Sequence, residues 1–139
     1  MKFAALVISI FAAVLASQIS VAADVKTKSE TLPSGVVVEH LKEGNGDSPS
    51  AADTVVAHYR GTLADGKEFD SSYKRGEPIA FPLSRVVPCW TQGLQKMKVG
   101  GKARLTCPAA TAYGDRGVPG VIPGGATLNF EVELVSIKK

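Results

Sequence analysis

A strict alternation of apolar and polar residues near the C-terminus constrains the fold of this chain more than any other sequence feature. Every second residue from Leu128 to Leu134 is apolar, and each residue between them is polar or charged. Successive side chains of a β-strand point to opposite faces of the sheet, so a period of two predicts a strand with one buried face. The residues expected to face inward are Leu128, Phe130, Val132 and Leu134.

Four further segments are predicted to be strands of the same sheet. They are rich in β-branched and aromatic residues and are bounded by turn-forming residues. The pair Asp65-Gly66 predicts a tight hairpin, so the segment after it returns antiparallel to the segment before it. The four segments are 35–41, 54–63, 67–72 and 102–107, and 78–83 adds a shorter extended piece.

One short helix is predicted between these strands. Pro88 fits a first helical turn, where its missing N–H is not needed. Trp90, Leu94 and Met97 then share one apolar face, and Gly100-Gly101 ends the helix. The sequence therefore predicts an α+β fold, in which an antiparallel sheet of about five strands is covered by one short helix. Residues 108–125 are too rich in Gly and Pro to be regular, and loops of that length in a compact domain are usually functional.

The N-terminal stretch has the three-part pattern of a secretory signal peptide. Lys2 gives a basic start, residues 3–15 are almost wholly apolar, and small residues precede Asp24. A transmembrane anchor is the alternative, but this apolar run is shorter than the roughly 20 residues that span a bilayer. We therefore predict an exported protein, periplasmic or secreted, that is cleaved near Ala22-Ala23. The predicted organisation is a signal peptide over 1–23, a flexible lead-in over 24–32 and one folded domain over 33–139.

Composition and motifs exclude several classes of function. The formal net charge is +3, and Lys and Arg are scattered without a run of five, which argues against a nucleic-acid binder. No Ser, Cys or His lies in a motif typical of a hydrolase nucleophile. His40 and His58 are predicted to be solvent-side strand residues whose spacing does not make a metal site.

Seven short stretches carry the most specific signal because they occur in a fixed order. They are VAHYRGTL at 56–63, DGKEFDSS at 65–72, VVPCW at 86–90, MKVGG at 97–101, AYG at 112–114, GVIP at 120–123 and ATLNFEVEL at 126–134. In this order and spacing they resemble the FKBP-type peptidyl-prolyl cis–trans isomerases, the tacrolimus- and rapamycin-binding family. The resemblance extends from about Gly35 to the C-terminus.

The resemblance implies a half-barrel sheet wrapped around the helix, with an apolar pocket between them. Three positions depart from the eukaryotic pattern: Ile79 replaces an aromatic residue, Val118 a His and Cys89 a Gly. No metal or cofactor is implied. The implied catalytic residues are Asp70, Tyr113, Phe130 and Tyr59. The implied substrate-binding residues are Trp90, Phe69, Ile79, Val86, Val87, Val121, Ile122 and Arg75.

The implied activity is isomerisation of X–Pro bonds in unfolded or partly folded polypeptides. Trp90 would form the floor of the pocket, while the Tyr113 hydroxyl and the Val87 N–H would hold substrate carbonyls. Tacrolimus- or rapamycin-type macrolides are further implied ligands. The chain lacks the long helical N-terminal arm by which some exported relatives dimerise, so a monomer is expected. The alternatives are a folding chaperone or binding module with incidental isomerase activity, and an interaction domain with a dead pocket.

Cys89 and Cys107 are the only cysteines of the chain. An even number of cysteines in an exported protein favours a disulfide, and the predicted fold places Cys89 at the start of the helix and Cys107 at the end of a strand beneath it. A redox-active pair is the alternative, although the chain has no Cys-x-x-Cys motif.

Overall fold

A computed structural model describes residues 28–138. Seven strands form one antiparallel sheet in the order β1-β2-β6-β7-β3-β4, and β5 pairs with β3 beside β4. One α-helix, α1, covers the apolar face of the sheet. The strands are β1 (Lys28–Thr31), β2 (Val37–Lys42), β3 (Thr54–Leu63), β4 (Glu68–Ser71), β5 (Ile79–Pro82), β6 (Lys102–Cys107) and β7 (Leu128–Lys138), and α1 is Pro88–Leu94.

The residues that alternate in polarity near the C-terminus form a strand with one buried face, as predicted. β7 lies between β6 and β3, and its residues 128, 130, 132 and 134 are all buried in the core. It pairs with the whole length of β3, from Leu63 opposite Leu128 to Thr54 opposite Lys138. The predicted α+β fold, an antiparallel sheet with one short helix, is confirmed.

The sheet has more strands than the five expected from the sequence. The short extended piece at 78–83 contains β5, and β1 lies within the stretch 24–32 that was predicted to be a flexible lead-in. The lead-in prediction is therefore wrong for Lys28–Thr31, which pairs in register with β2. β1 escaped detection because it is an edge strand with no buried side chain, so its stability comes from backbone pairing rather than from an apolar face.

His40 of β2 also differs from the prediction, because it is buried rather than solvent-facing. Its Nε2 lies 3.0 Å from a carboxylate oxygen of Glu30 in β1. β1, which was not predicted from the sequence, therefore provides the partner of the His40 side chain, which was predicted to face solvent.

α1 ends at Leu94, several residues before the predicted stop at Gly100-Gly101. The next residues form tight turns, in which the N–H of Lys96 donates to the Gly93 carbonyl and that of Met97 to the Leu94 carbonyl, both at 3.0 Å. Met97 is nevertheless fully buried, so the apolar spacing predicted burial correctly and helix length incorrectly.

Two contacts hold α1 close to β6. Gly93 has no side chain, and a Cβ there would lie 2.9 Å from Cδ2 of Leu105, so its absence allows the helix to approach the strand. Cys89 and Cys107 form a disulfide with a Cα–Cα distance of 5.7 Å, which joins the start of α1 to the end of β6. Within residues 28–138 no helix is long and apolar enough to cross a bilayer.

Candidate active site

A hollow of about 420 Å³ lies where β3, β4, β5 and β7 meet α1 and the loop after β6. Its surface is mainly aromatic and aliphatic. Its lining residues are Tyr59, Phe69, Asp70, Phe81, Arg85, Val86, Val87, Trp90, Tyr113 and Phe130.

Trp90 is the centre of the aromatic cluster in this hollow. Its ring makes edge-to-face contacts with Phe81, Tyr59 and Phe130, at centroid distances of 4.9, 5.4 and 5.5 Å. Pro88 is the first residue of α1, and Trp90, two residues later, is one of the buried residues of this helix. Edge-to-face packing on three sides fixes the indole plane, which gives the hollow a rigid apolar floor.

The wall formed by Phe69 and Phe130 depends on a glycine. Phe69 of β4 and Phe130 of β7 pack edge-to-face with centroids 5.6 Å apart. Gly61 of β3 lies beneath both rings, where a Cβ would come within 2.5 Å of Phe69 and 2.9 Å of Phe130. A glycine inside a strand often marks such a close approach.

Asp70 is the acidic group of the hollow, and three donors hold its carboxylate in place. The Tyr59 hydroxyl donates to Asp70 Oδ2, and Nη1 of Arg75 donates to Oδ1 at 3.1 Å. Nη2 of Arg75 also donates to the Tyr59 hydroxyl at 2.8 Å, which closes a three-membered network. The carboxyl group also accepts the Ser71 N–H at 2.9 Å.

This network determines the ionisation of its members. Partial burial opposes ionisation of Asp70, but the hydrogen bonds from Tyr59 and Arg75 outweigh it, so the pKa of Asp70 lies below its usual value. Burial, and then donation to Asp70, raise the pKa of Tyr59. Asp70 is therefore a carboxylate and Tyr59 a neutral phenol at neutral pH.

The segment before α1 forms one side of the rim. Val86 and Val87 line the hollow, and the Val87 carbonyl accepts the N–H groups of Trp90 and Thr91 at 2.9 and 3.2 Å. Among the residues that the structure describes, no hydrogen bond uses the Val87 N–H. This N–H is therefore free to bind a ligand carbonyl.

The loop after β6 also lines the hollow through Tyr113, whose side chain is exposed. The loop is ordered by its own hydrogen bonds: Gly117 N–H donates to the Tyr113 carbonyl at 3.0 Å, and Val118 pairs with Ile122. Gly117 has a φ of +63°, and a Cβ there would lie 2.2 Å from the Ile122 carbonyl oxygen, so the turn requires glycine. Tyr113 thus stands on a preformed turn.

Not all of the site residues expected from the sequence line the hollow. Ile122 belongs to the loop after β6 and is buried in the core, Val121 of the same loop is exposed, and Arg75 contacts Asp70 without lining the hollow. Ile79 is partly buried against the core. The expected residues that do line it are Tyr59, Phe69, Asp70, Val86, Val87, Trp90, Tyr113 and Phe130.

Two lining residues, Phe81 and Arg85, were not predicted from the sequence. Phe81 lies two residues after Ile79 in β5 and therefore on the same face of that strand. The period of two along 79–82 could have identified it. Arg85 ends a short 3-10 turn between β5 and α1, and no periodic signal in the sequence points to it. In the described range 28–138, no group of three or more His, Cys, Asp or Glu side chains is placed to bind a metal.

Comparisons with known proteins agree with this architecture. A family model described as FKBP-type peptidyl-prolyl cis-trans isomerase matches residues 46–135. The FkpA isomerase of Escherichia coli (strain K12) is 52% identical over 109 residues, which are 78% of this chain and 40% of that protein. FK506-binding protein 1 of Candida glabrata is 46% identical over 112 residues, covering 78% of this chain and 98% of that protein.

A solved structure gives the same result for the fold. The crystal structure of FkpA from Escherichia coli matches 99% of this chain and 70% of that chain, with a TM-score of 0.77 and 40% sequence identity. The present chain spans about two fifths of the length of the FkpA sequences that it matches.

Proposed function

Because this chain belongs to the FKBP-type peptidyl-prolyl cis-trans isomerase family, we propose that it accelerates rotation about X–Pro bonds in exported polypeptides. The observation that carries this proposal is the hollow itself. Three aromatic rings pack edge-to-face with Trp90, and an ionised Asp70 lines the same hollow.

The physical task is to lower a torsional barrier. The peptide C–N bond has partial double-bond character, so rotation costs roughly 18–20 kcal/mol and uncatalysed X–Pro exchange takes tens to hundreds of seconds. No bond breaks, so the proposed mechanism uses no nucleophile, metal or cofactor. The catalyst must bind the twisted amide better than the planar one.

An apolar hollow supplies such a difference. The planar amide is the more dipolar form, so its transfer from water into an apolar space costs more free energy than that of the twisted form. In our proposal the proline ring rests on Trp90, between Phe69 and Phe130 on one side and Val86 and Val87 on the other.

Two groups on the rim would hold the peptide on either side of the rotating bond. The Tyr113 hydroxyl, on the preformed loop, would donate to one substrate carbonyl, and the Val87 N–H to another. Fixing both flanking carbonyls restricts the motion to the bond between them, which removes part of the entropic cost of the transition state.

Asp70 is proposed to act through its fixed negative charge. Tyr59 and Arg75 orient the carboxylate and keep it ionised. A preorganised charge at the edge of an apolar space interacts strongly with a carbonyl dipole that changes direction during rotation. We propose that this interaction favours the rotated carbonyl.

A protease-coupled assay on a proline-containing peptide tests this function. The mature protein should raise the isomerisation rate, and rapamycin should inhibit it if macrolides share the hollow. Asp70→Leu and Phe130→Tyr should each reduce kcat/KM on the order of tenfold, about 1.4 kcal/mol of transition-state binding, with circular dichroism unchanged. Full activity in both variants would contradict the site assignment.

A role in holding unfolded clients is a second candidate, favoured by the exposed apolar side chains of Tyr113 and Val121 on the loop. Suppression of aggregation of a proline-free client by the Asp70→Leu variant measures this role separately. A variant that holds the client without isomerising peptides would identify a chaperone surface.

A further inference from the structure

Of the charged side chains that line the hollow, one has an ion-pair partner in the part of the chain that the structure describes and the other does not. Asp70 and Arg85 are the only charged side chains among its lining residues. Asp70 forms an ion pair with Arg75 and accepts the Tyr59 hydroxyl. Within residues 28–138, by contrast, no carboxylate lies within ion-pair distance of the Arg85 guanidinium. The rim therefore presents one uncompensated positive charge.

The backbone that carries Arg85 is firmly anchored. Arg85 ends a short 3-10 turn, Leu83–Arg85, whose first residue is fully buried. The N–H of Leu83 donates to the Asp53 carbonyl at 3.0 Å, and its carbonyl accepts the Thr91 hydroxyl at 2.6 Å. The exposed guanidinium is thus attached to a fixed point on the rim.

Arg85 also lies next to the path proposed for the substrate. It directly precedes Val86 and Val87, and the free Val87 N–H is the group proposed to hold a substrate carbonyl. A peptide bound there would place the side chain of a residue flanking proline within reach of the long Arg85 side chain.

We propose that Arg85 is a specificity-determining residue that favours substrates with Asp or Glu immediately before or after proline. This inference rests on the proposed isomerase function. An acidic side chain would gain an ion pair at an exposed site, whereas Lys or Arg would be repelled. Exposed ion pairs are weak and screened by salt, so we expect a preference of about two- to fivefold at low ionic strength.

The test compares neutral-capped peptides Ala-Xaa-Pro-Yaa that carry Glu, Gln or Lys at Xaa or at Yaa. Exchange NMR measures their isomerisation directly, which avoids the sequence preference of a coupling protease. At low salt the wild-type protein should show kcat/KM highest for Glu and lowest for Lys at one or both positions. The difference should shrink as salt is added.

Variants assign this preference to one side chain. Arg85→Gln should make the three peptides equivalent, and Arg85→Glu should reverse their order. Arg104→Gln removes another exposed arginine, on the outward face of β6 and bonded to Glu39, and should retain the wild-type order. A wild-type protein without charge preference, or a preference that persists in Arg85→Gln, overturns the inference.

The failure of this inference is distinguishable from failure of the proposed function. If no peptide is isomerised, the proposed function fails. The same peptides can then be titrated against the fluorescence of Trp90, the single tryptophan. Tighter binding of the Glu peptides by wild-type protein than by Arg85→Gln would support the charge preference in binding alone, and equal binding would overturn it.

Discussion

Gly61 in β3 lies so close to Phe69 in β4 that a Cβ at this glycine would come within 2.5 Å of the Cζ atom of the ring. The same Cβ would lie 2.9 Å from the Phe130 ring. Both rings line the hollow, so the absence of a Cβ at Gly61 determines how closely the two rings can approach β3.

We predict that Gly61→Ala moves these rings and damages the hollow. Overpacking of this kind usually lowers the free energy of unfolding by about 1–3 kcal/mol, and we expect kcat/KM to fall as well. Urea unfolding and peptide isomerisation on the same sample measure the two effects.

The matched control is Gly46→Ala, where a Cβ would lie 2.7 Å from Cβ of Val99, outside the hollow. It should lower stability while kcat/KM stays near the wild-type value at a temperature where both variants are folded. Equal losses of activity in the two variants would show that Gly61 acts only through stability.

The second prediction concerns the ionisation of Asp70. Its pKa is below the usual value in the folded protein, so the network favours folding at pH above the unfolded pKa, about 3.9, and this contribution is lost as pH falls through the folded pKa. We expect kcat/KM to be insensitive to Asp70 ionisation between pH 5 and 8. Arg75→Gln removes one donor and should raise the pKa of Asp70, as followed by carboxyl-carbon NMR.

Lys74→Gln is a control for the loss of a neighbouring positive charge. Hydrogen bonds from Lys74 and Arg60 lower the pKa of Glu68, and Lys74 Nζ lies 2.5 Å from Glu68 Oε2. This variant should raise the pKa of Glu68 and leave that of Asp70 unchanged. If Asp70 titrates identically in wild type and Arg75→Gln, the network does not control its charge.

The third prediction concerns the disulfide between Cys89 and Cys107, which are 18 positions apart. In the chain-entropy model, closing a loop of this size stabilises the fold by about 3 kcal/mol. A Cys89→Ala/Cys107→Ala variant should lose about that much in urea unfolding. Reductant should destabilise the wild type and leave the variant unaffected. Alkylation of the unfolded wild type without reductant should leave its mass unchanged.

The fourth prediction concerns the N-terminus, which lies outside the described residues. Expression of the full chain in a bacterium with an export pathway should yield a protein that begins near residue 24, because the first 23 residues have the pattern of a signal peptide. Intact-mass measurement on the exported fraction checks this. Light scattering on the same sample tests the monomer expected from the sequence. Retention of Met1 in the exported protein would contradict the cleavage prediction.

The sequence predicted those elements whose side chains alternate in polarity or carry strong turn signals. β3 and β6 were predicted with the observed bounds, and β7 was recognised from Leu128 to Leu134 but not in its last part, which extends to Lys138. β1 was missed because an exposed edge strand needs no apolar residue, and α1 was overextended because the burial of Met97 looks the same in a helix and in a turn.

Prediction of the site was limited in the same way. Trp90 and Phe130 lie on regular elements and carry a recognisable motif, and both line the hollow. Arg85 lies in a turn that is held by two hydrogen bonds of Leu83 to residues outside the turn, Asp53 and Thr91. No pattern local to residues 83–85 encodes those partners.

The pairing of β3 with β7 has a consequence for the order of events during synthesis. Residues 54–63 bond to residues 128–138, so the central pair of strands closes a long stretch of chain. Contacts of such high sequence separation slow folding. A nascent chain stalled before residue 128 would contain Trp90 but not Phe130, so the hollow would be incomplete. Such a chain would lack the activity proposed for the completed chain. The proposed isomerase activity therefore depends on β7, the strand that is synthesised last among β1 to β7.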